Sequence, residues 1–183
     1  MQIVICPGIH KRQLTNQFLS SMAKFRHSRE KLDKWLVFPT EQQAPYNPLL
    51  VNQFVTDNCD NSSILLIAFS AGVVGALGTA WLQQIQGREI RGLIALDGWG
   101  VPLGGNFPIY RLSHDYFTHL TSKAIGVGVD SFYAEPAVEH LDLWAFPANT
   151  WGWWEKSGGT KVRCLAAEFI SIQIRKCAGD RED

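Results

Sequence analysis

Apolar positions along the chain fall into two kinds of run. The first kind is short and continuous: QIVIC at 2–6, KWLVFPT at 34–40, ILLIAF at 64–69, GLIALD at 92–97 and FPIYRLS at 107–113. Each is bounded by Pro, Gly, Asn, Asp or Ser and reads as a strand. ILLIAF and GLIALD carry no alternation, as expected of central strands covered on both faces. The second kind repeats every three to four residues. Leu14, Phe18, Leu19, Met22 and Phe25 share one helical face. NPLLVNQFVTDN at 47–58, AGVVGALGTAWLQQIQ at 71–86 and DYFTHLTSKAI at 115–125 also read as helices, the second of these followed by Gly87 and the last by Gly126.

Towards the C-terminus the pattern weakens. SFYAEPAVEHLDLW at 131–144 reads as a strand or extended loop interrupted by Pro136. TWGWWEKSGG at 150–159 is the least regular stretch and reads as a loop pinned by aromatic burial, or as an apolar flap. Residues 160–176, with Val162, Leu165, Ala166, Phe169 and Ile170, read as a closing amphipathic helix. Strands alternating with helices predict an α/β fold: a three-layer α/β/α arrangement around a mostly parallel sheet of about six strands. Residues 1–183 are expected to form one domain, since no repeat, linker or low-complexity segment divides them.

Composition narrows the partners. Seventeen basic residues balance seventeen acidic ones, and this zero net charge argues against a general nucleic-acid surface. No apolar run approaches the ~20 residues of a membrane helix, and IVIC is too short for a signal segment. The four cysteines, Cys6, Cys59, Cys164 and Cys177, are scattered without a C-x-x-C pair. Cys6, in an apolar strand-like run, is expected to be buried; all four are expected to be reduced thiols in a soluble cytoplasmic protein, and neither a metal nor another cofactor is expected.

Parallel sheets gather their chemistry at the carboxyl ends of the strands. There the chain places Ser70 after the third strand, Asp97 after the fourth, His114 and Asp115 after the fifth, and Pro7-Gly8-Ile9-His10 after the first; His140 lies in the last extended segment. A serine hydroxyl becomes a nucleophile only when an imidazole takes its proton, and a carboxylate must hold that imidazole in the right tautomer. Ser70, Asp115 and His140 supply these groups in the order Ser…Asp…His. Among the other histidines, His119 lies one helical turn after Asp115, where the two could pair, and His27 sits in the basic segment FRHSREK, where it is expected to be solvated. His114 directly precedes Asp115, so in an extended segment the two side chains would point apart. His114, Asp115 and His119 are not read as a metal site, because no further cluster supports them.

At Ala68-Phe69-Ser70-Ala71-Gly72 the chain resembles the α/β-hydrolase superfamily, read against the nucleophile motif G-x-S-x-G with alanine in place of the first glycine. Gly72, Gly75, Ala76 and Gly78 suit the close helix–sheet packing of such an elbow. The resemblance implies a small serine hydrolase with catalytic Ser70, His140 and Asp115, the carboxylate following the fifth strand; Asp97 is the rival acid. It further implies an oxyanion hole from the backbone N–H groups of Ala71 and Ile9. GWGVPLGGN between the fourth and fifth strands is too short for a lid domain. The expected substrate is a small-molecule ester or thioester with an apolar acyl or aryl group. His10, Trp99, His114 and Tyr116 are the candidates for the pocket, with Phe107, Phe117 and the tryptophans at 151–154 as further wall. Two alternatives share the scaffold: an acyltransferase, and a non-catalytic module that binds an apolar ligand or a partner protein.

Overall fold

A computed structural model describes residues 1–25, 35–98, 100–126 and 128–179. Among the described residues, eight strands and six helices follow one another as β1 (Gln2–Cys6), α1 (Arg12–Ala23), β2 (Trp35–Val37), α2 (Pro48–Asn58), β3 (Ile64–Phe69), α3 (Gly72–Ile85), β4 (Ile90–Leu96), β5 (Ile109–Ser113), α4 (Tyr116–Lys123), β6 (Asp130–Ala134), α5 (His140–Ala145), β7 (Trp151–Glu155), β8 (Lys161–Leu165) and α6 (Ala166–Ala178). The strands make one sheet in the order β2-β1-β3-β4-β5-β6-β7-β8. The first six pair in parallel; β7 and β8 add an antiparallel edge.

Strand geometry sends successive side chains to opposite faces, and the core divides accordingly. Ile3, Ile5, Leu65, Ile67, Phe69, Ile94 and Leu96 enter one apolar cluster together with Phe18 and Met22 of α1, Leu143 and Trp144 of α5, and Phe169 and Ile170 of α6. Val4, Cys6, Ile64, Leu66, Ala68, Leu93 and Ala95 enter a second with Val51 and Val55 of α2 and Val73, Ala76 and Ala80 of α3. β3 is buried at every position because both clusters close over it. This is the physical reason its sequence shows no alternation. All four cysteines are free and buried, and burial pushes the Cys6 thiol up to about 12, far from the reactive thiolate range. No described helix is long and apolar enough to cross a membrane.

The sheet has eight strands where the hydrophobic pattern predicts about six. Residues 151–155, read as part of an irregular loop, form β7, and 161–165, read as the start of the last helix, form β8. WGWWE does alternate: Trp154 is 5 % exposed while Trp151 is 48 % exposed. Three tryptophans in five residues hide that alternation, because the outward ones are as apolar as the inward ones. β8 is an edge strand with its first three residues exposed, and the three-residue spacing of Val162 and Leu165 mimics a helix. A further difference lies at 140–145, where the expected extended segment is the short helix α5. The exposed setting expected for His27 and the wall position expected for Trp99 lie outside the described residues, as does Lys34 at the start of the second predicted strand.

Candidate active site

Ser70 stands between β3 and α3 with φ +51, a left-handed conformation rare for a residue with a side chain. Two backbone hydrogen bonds hold it there: its N–H donates to the Leu96 carbonyl at 2.9 Å, and its carbonyl accepts the Val73 N–H at 3.0 Å. The turn also requires glycine beside it. A Cβ on Gly72 would lie 2.2 Å from the Cys6 carbonyl oxygen and 2.4 Å from that of Pro7. Gly8 brings the loop after β1 past the same point, where a Cβ would lie 3.0 Å from Cβ of Ser70. Ala68, the departure from G-x-S-x-G, is fully buried in the second cluster, paired with Cys6 and Ala95 on the neighbouring strands. The bend at Ser70 forms with alanine in that position.

The carboxylate that meets His140 is Asp97. It follows β4, has φ +47, and is 5 % exposed. Its Oδ2 accepts from Nδ1 of His140 at 2.9 Å and from Nδ1 of His114 at 2.9 Å; its Oδ1 accepts the His114 backbone N–H at 2.9 Å. Burial opposes the charge, but the bonds from both imidazoles outweigh it and hold the carboxyl below its ordinary value. An ionised carboxylate only accepts, so each ring presents Nδ1–H to it. A neutral His140 then keeps Nε2 unprotonated. His140 is the first residue of α5, and its ring stacks on Phe69 at 4.6 Å.

Asp115, the acid favoured from the sequence, is engaged elsewhere. It is the N-cap of α4, its Oδ1 accepting the Thr118 N–H at 2.6 Å. Its Oδ2 lies 3.3 Å from Nε2 of His114. The expectation that His114 and Asp115 point apart is therefore overturned: β5 ends at Ser113, and strand alternation does not extend past that residue. His114 is raised above its ordinary value, chiefly by its hydrogen bond to Asp97, with partial burial opposing and Asp115 and Glu139 adding to it. The His119 side chain pairs with neither acid; it is 2 % exposed, and its Nε2 donates to Oε2 of Glu155 on β7 at 2.9 Å.

Ser70, Asp97, His114 and His140 share the wall of one cavity of about 560 Å³, completed by Ala71, Val74, Val101, Asp115, Phe117 and Thr118. Of the pocket and wall residues expected from sequence, His114 and Phe117 line it. His10 is not among the lining residues; its Nδ1 lies 3.0 Å from the Lys11 carbonyl, and its ring packs 5.6 Å from that of Phe69, behind the His140 ring. Tyr116 packs against His119 and Tyr133 instead, and Phe107 is core. Trp151, Trp153 and Trp154 belong to β7. Val74 and Val101 went unrecognised in the sequence. Val74 lies four residues after Ser70, one helical turn along α3, and that spacing is the signal that could have found it. Among the described residues, Asp97, His114 and His140 also form a group whose potential ligand atoms lie within 4.8 Å of one another. No protein-family model and no curated protein matches the chain.

Proposed function

We propose that this chain is a small serine hydrolase of the α/β-hydrolase kind, a helix–sheet–helix sandwich without a lid, cleaving an ester or thioester. One observation carries the reading: Ser70, held on a strained strand-to-helix bend, and His140, bonded through Nδ1 to buried Asp97, line the same cavity. Backbone strain at a residue with a functional hydroxyl, in one cavity with an oriented imidazole, is an arrangement that suits nucleophilic catalysis.

In this reading Ser70 Oγ attacks the acyl carbonyl while Nε2 of His140 takes its proton. Asp97 holds the Nδ1–H tautomer and stabilises the imidazolium that forms. The oxyanion is received by the N–H groups of Ala71, at the start of α3, and of Ile9, on the loop that Gly8 brings against Ser70. Each such donor contributes about 2.7–4 kcal/mol to lowering the barrier. His140 then returns the proton to the leaving alcohol or thiol, and water repeats the sequence on the acyl-Ser70 ester. Val74, Val101 and Phe117 give the cavity an apolar wall suited to the acyl or aryl group.

Incubation with a fluorophosphonate probe tests the reading. Native protein is expected to gain one adduct, mapped to Ser70 by peptide mass, and Ser70→Ala is expected to gain none. A folded protein that stays unlabelled while a known serine hydrolase reacts would leave the scaffold as a binding module.

A further inference from the structure

Two imidazoles on one carboxylate oxygen exceed what a serine hydrolase requires. His140 alone supplies the base, yet His114 approaches the same Oδ2 at the same 2.9 Å. We propose that Asp97 Oδ2, His114 Nδ1 and His140 Nδ1 form a site for Zn²⁺, and that the bound ion switches Ser70 off by fixing the wrong tautomer of His140. The second half of this proposal rests on the serine-hydrolase reading; the first does not.

Two imidazole nitrogens and one carboxylate oxygen make a donor set suited to zinc. Bonds of about 2.0–2.2 Å in tetrahedral geometry place ligand atoms about 3.3 Å apart. Each N···O pair at 2.9 Å therefore has to open by about 0.4 Å, while the two Nδ1 atoms, now within 4.8 Å of each other, have to close to about 3.3 Å. The His140 side chain, 41 % exposed at the cavity wall, has room for that movement. All three residues line the cavity, so water can reach a fourth position on the ion.

The surroundings supply a second, independent observation. A metal-bound histidine normally donates its other ring N–H to a carboxylate, and the ligating carboxylate is itself held by hydrogen bonds. Nε2 of His114 lies 3.3 Å from Asp115 Oδ2, and Asp115 is anchored through its other oxygen by the Thr118 N–H. Oδ1 of Asp97 is occupied by the His114 amide. The outer positions of His114 and Asp97 are thus filled, and the charges of Asp97 and Asp115 offset the two positive charges of the ion.

Proton bookkeeping gives the inhibition. Zinc takes the Nδ1 position of each ring. In a neutral ring the displaced proton moves to Nε2, with no net release; a protonated His114 releases one proton to solvent. His140 then carries Nε2–H, the atom that must accept the Ser70 proton, and the hydroxyl has no base. Removing the ion restores the Nδ1–H tautomer.

The test uses the whole chain. Titration with Zn²⁺ against a chromophoric chelator is expected to show one equivalent bound, with affinity about tenfold or more weaker in His114→Gln and in Asp115→Asn. Imidazole ¹⁵N shifts of the unmutated protein read the same site without relying on any variant folding: both Nδ1 atoms become metal-bound and both Nε2 atoms protonated. Fluorophosphonate labelling of Ser70 is expected to fall about tenfold or more at one equivalent of zinc and to return with EDTA. Failure to bind a single equivalent, or undiminished affinity in folded His114→Gln, overturns the site. Zinc held by both Nδ1 atoms while labelling proceeds unchanged overturns the switch. Zinc binding in a protein that never labels overturns the hydrolase reading and leaves the metal site standing.

Discussion

Replacing Asp97 by asparagine separates the two candidate acids. The substitution keeps the size of the side chain and tolerates φ +47, since asparagine enters the left-handed region readily. What changes is hydrogen-bond polarity. Asp97 accepts three bonds: one at Oδ1 from the His114 amide and two at Oδ2 from the imidazoles. Asparagine has one oxygen and one NH₂. If its oxygen faces the amide, its NH₂ meets both Nδ1 atoms, which must then accept, and the His140 proton is forced to Nε2. If its oxygen faces the rings, its NH₂ opposes the His114 N–H, donor against donor. The first orientation removes the base outright, and the second leaves a buried donor unpaired at about 1–3 kcal/mol. Loss of the correct tautomer in a Ser-His-Asp site lowers turnover by about 10⁴-fold, which corresponds to about 5.4 kcal/mol of barrier. Asp115→Asn preserves the N-cap of α4 and leaves the Asp97–His140 bond intact, so its effect is expected within about tenfold. The assay is the second-order rate of fluorophosphonate labelling at Ser70, followed by intact mass in zinc-free buffer. Asp97→Asn within tenfold of the unmutated rate, with Asp115→Asn far below it, would refute the assignment of the acid.

Gly72→Ala is expected to destabilise by about 3 kcal/mol or more, because the new Cβ meets rigid backbone at 2.2 Å from the Cys6 carbonyl oxygen; an unchanged denaturation midpoint would contradict the packing described. Ser70→Gly is expected to be about 1 kcal/mol more stable than Ser70→Ala, since only glycine enters φ +51 without a Cβ penalty, and equal melting temperatures would remove the argument for strain. Trp144→Ala, which deletes a fully buried ring stacked at 4.0 Å on Phe18, should cost about 3–5 kcal/mol in urea unfolding. Burial holds His119 below its ordinary value against the raising effect of Glu155. The unfolded chain therefore binds the extra proton first, and stability falls as pH drops below about 6.5. The loss is at most about 1.4 kcal/mol per pH unit for this group, and urea midpoints between pH 7.5 and pH 5.5 should flatten measurably in His119→Gln.

The sequence by itself determined the parallel βαβ core and the edge at which the chemistry gathers. Those features rest on local signals. ILLIAF is apolar at every position because both faces of β3 are covered, and the small residues after Ser70 are required by the 2.2 Å approach at Gly72. Tertiary structure decided which groups meet. Asp97 is 17 residues from His114 and 43 from His140 in sequence, and no periodicity encodes such a meeting. Sequence position put both acids after strands at the same edge, and the hydrolase resemblance favoured Asp115, which follows the fifth. What separated the two acids was the local ending of each strand: Asp97 turns at φ +47 into the cleft, while Asp115 spends an oxygen capping α4. The β7–β8 hairpin was lost for a related reason. The edge strand β8 buries little, so its pattern is faint, and only the pairing of β7 with β6 shows that WGWWE continues the sheet. Burial by neighbours on both faces writes itself into the chain, whereas contacts made once between distant segments do not.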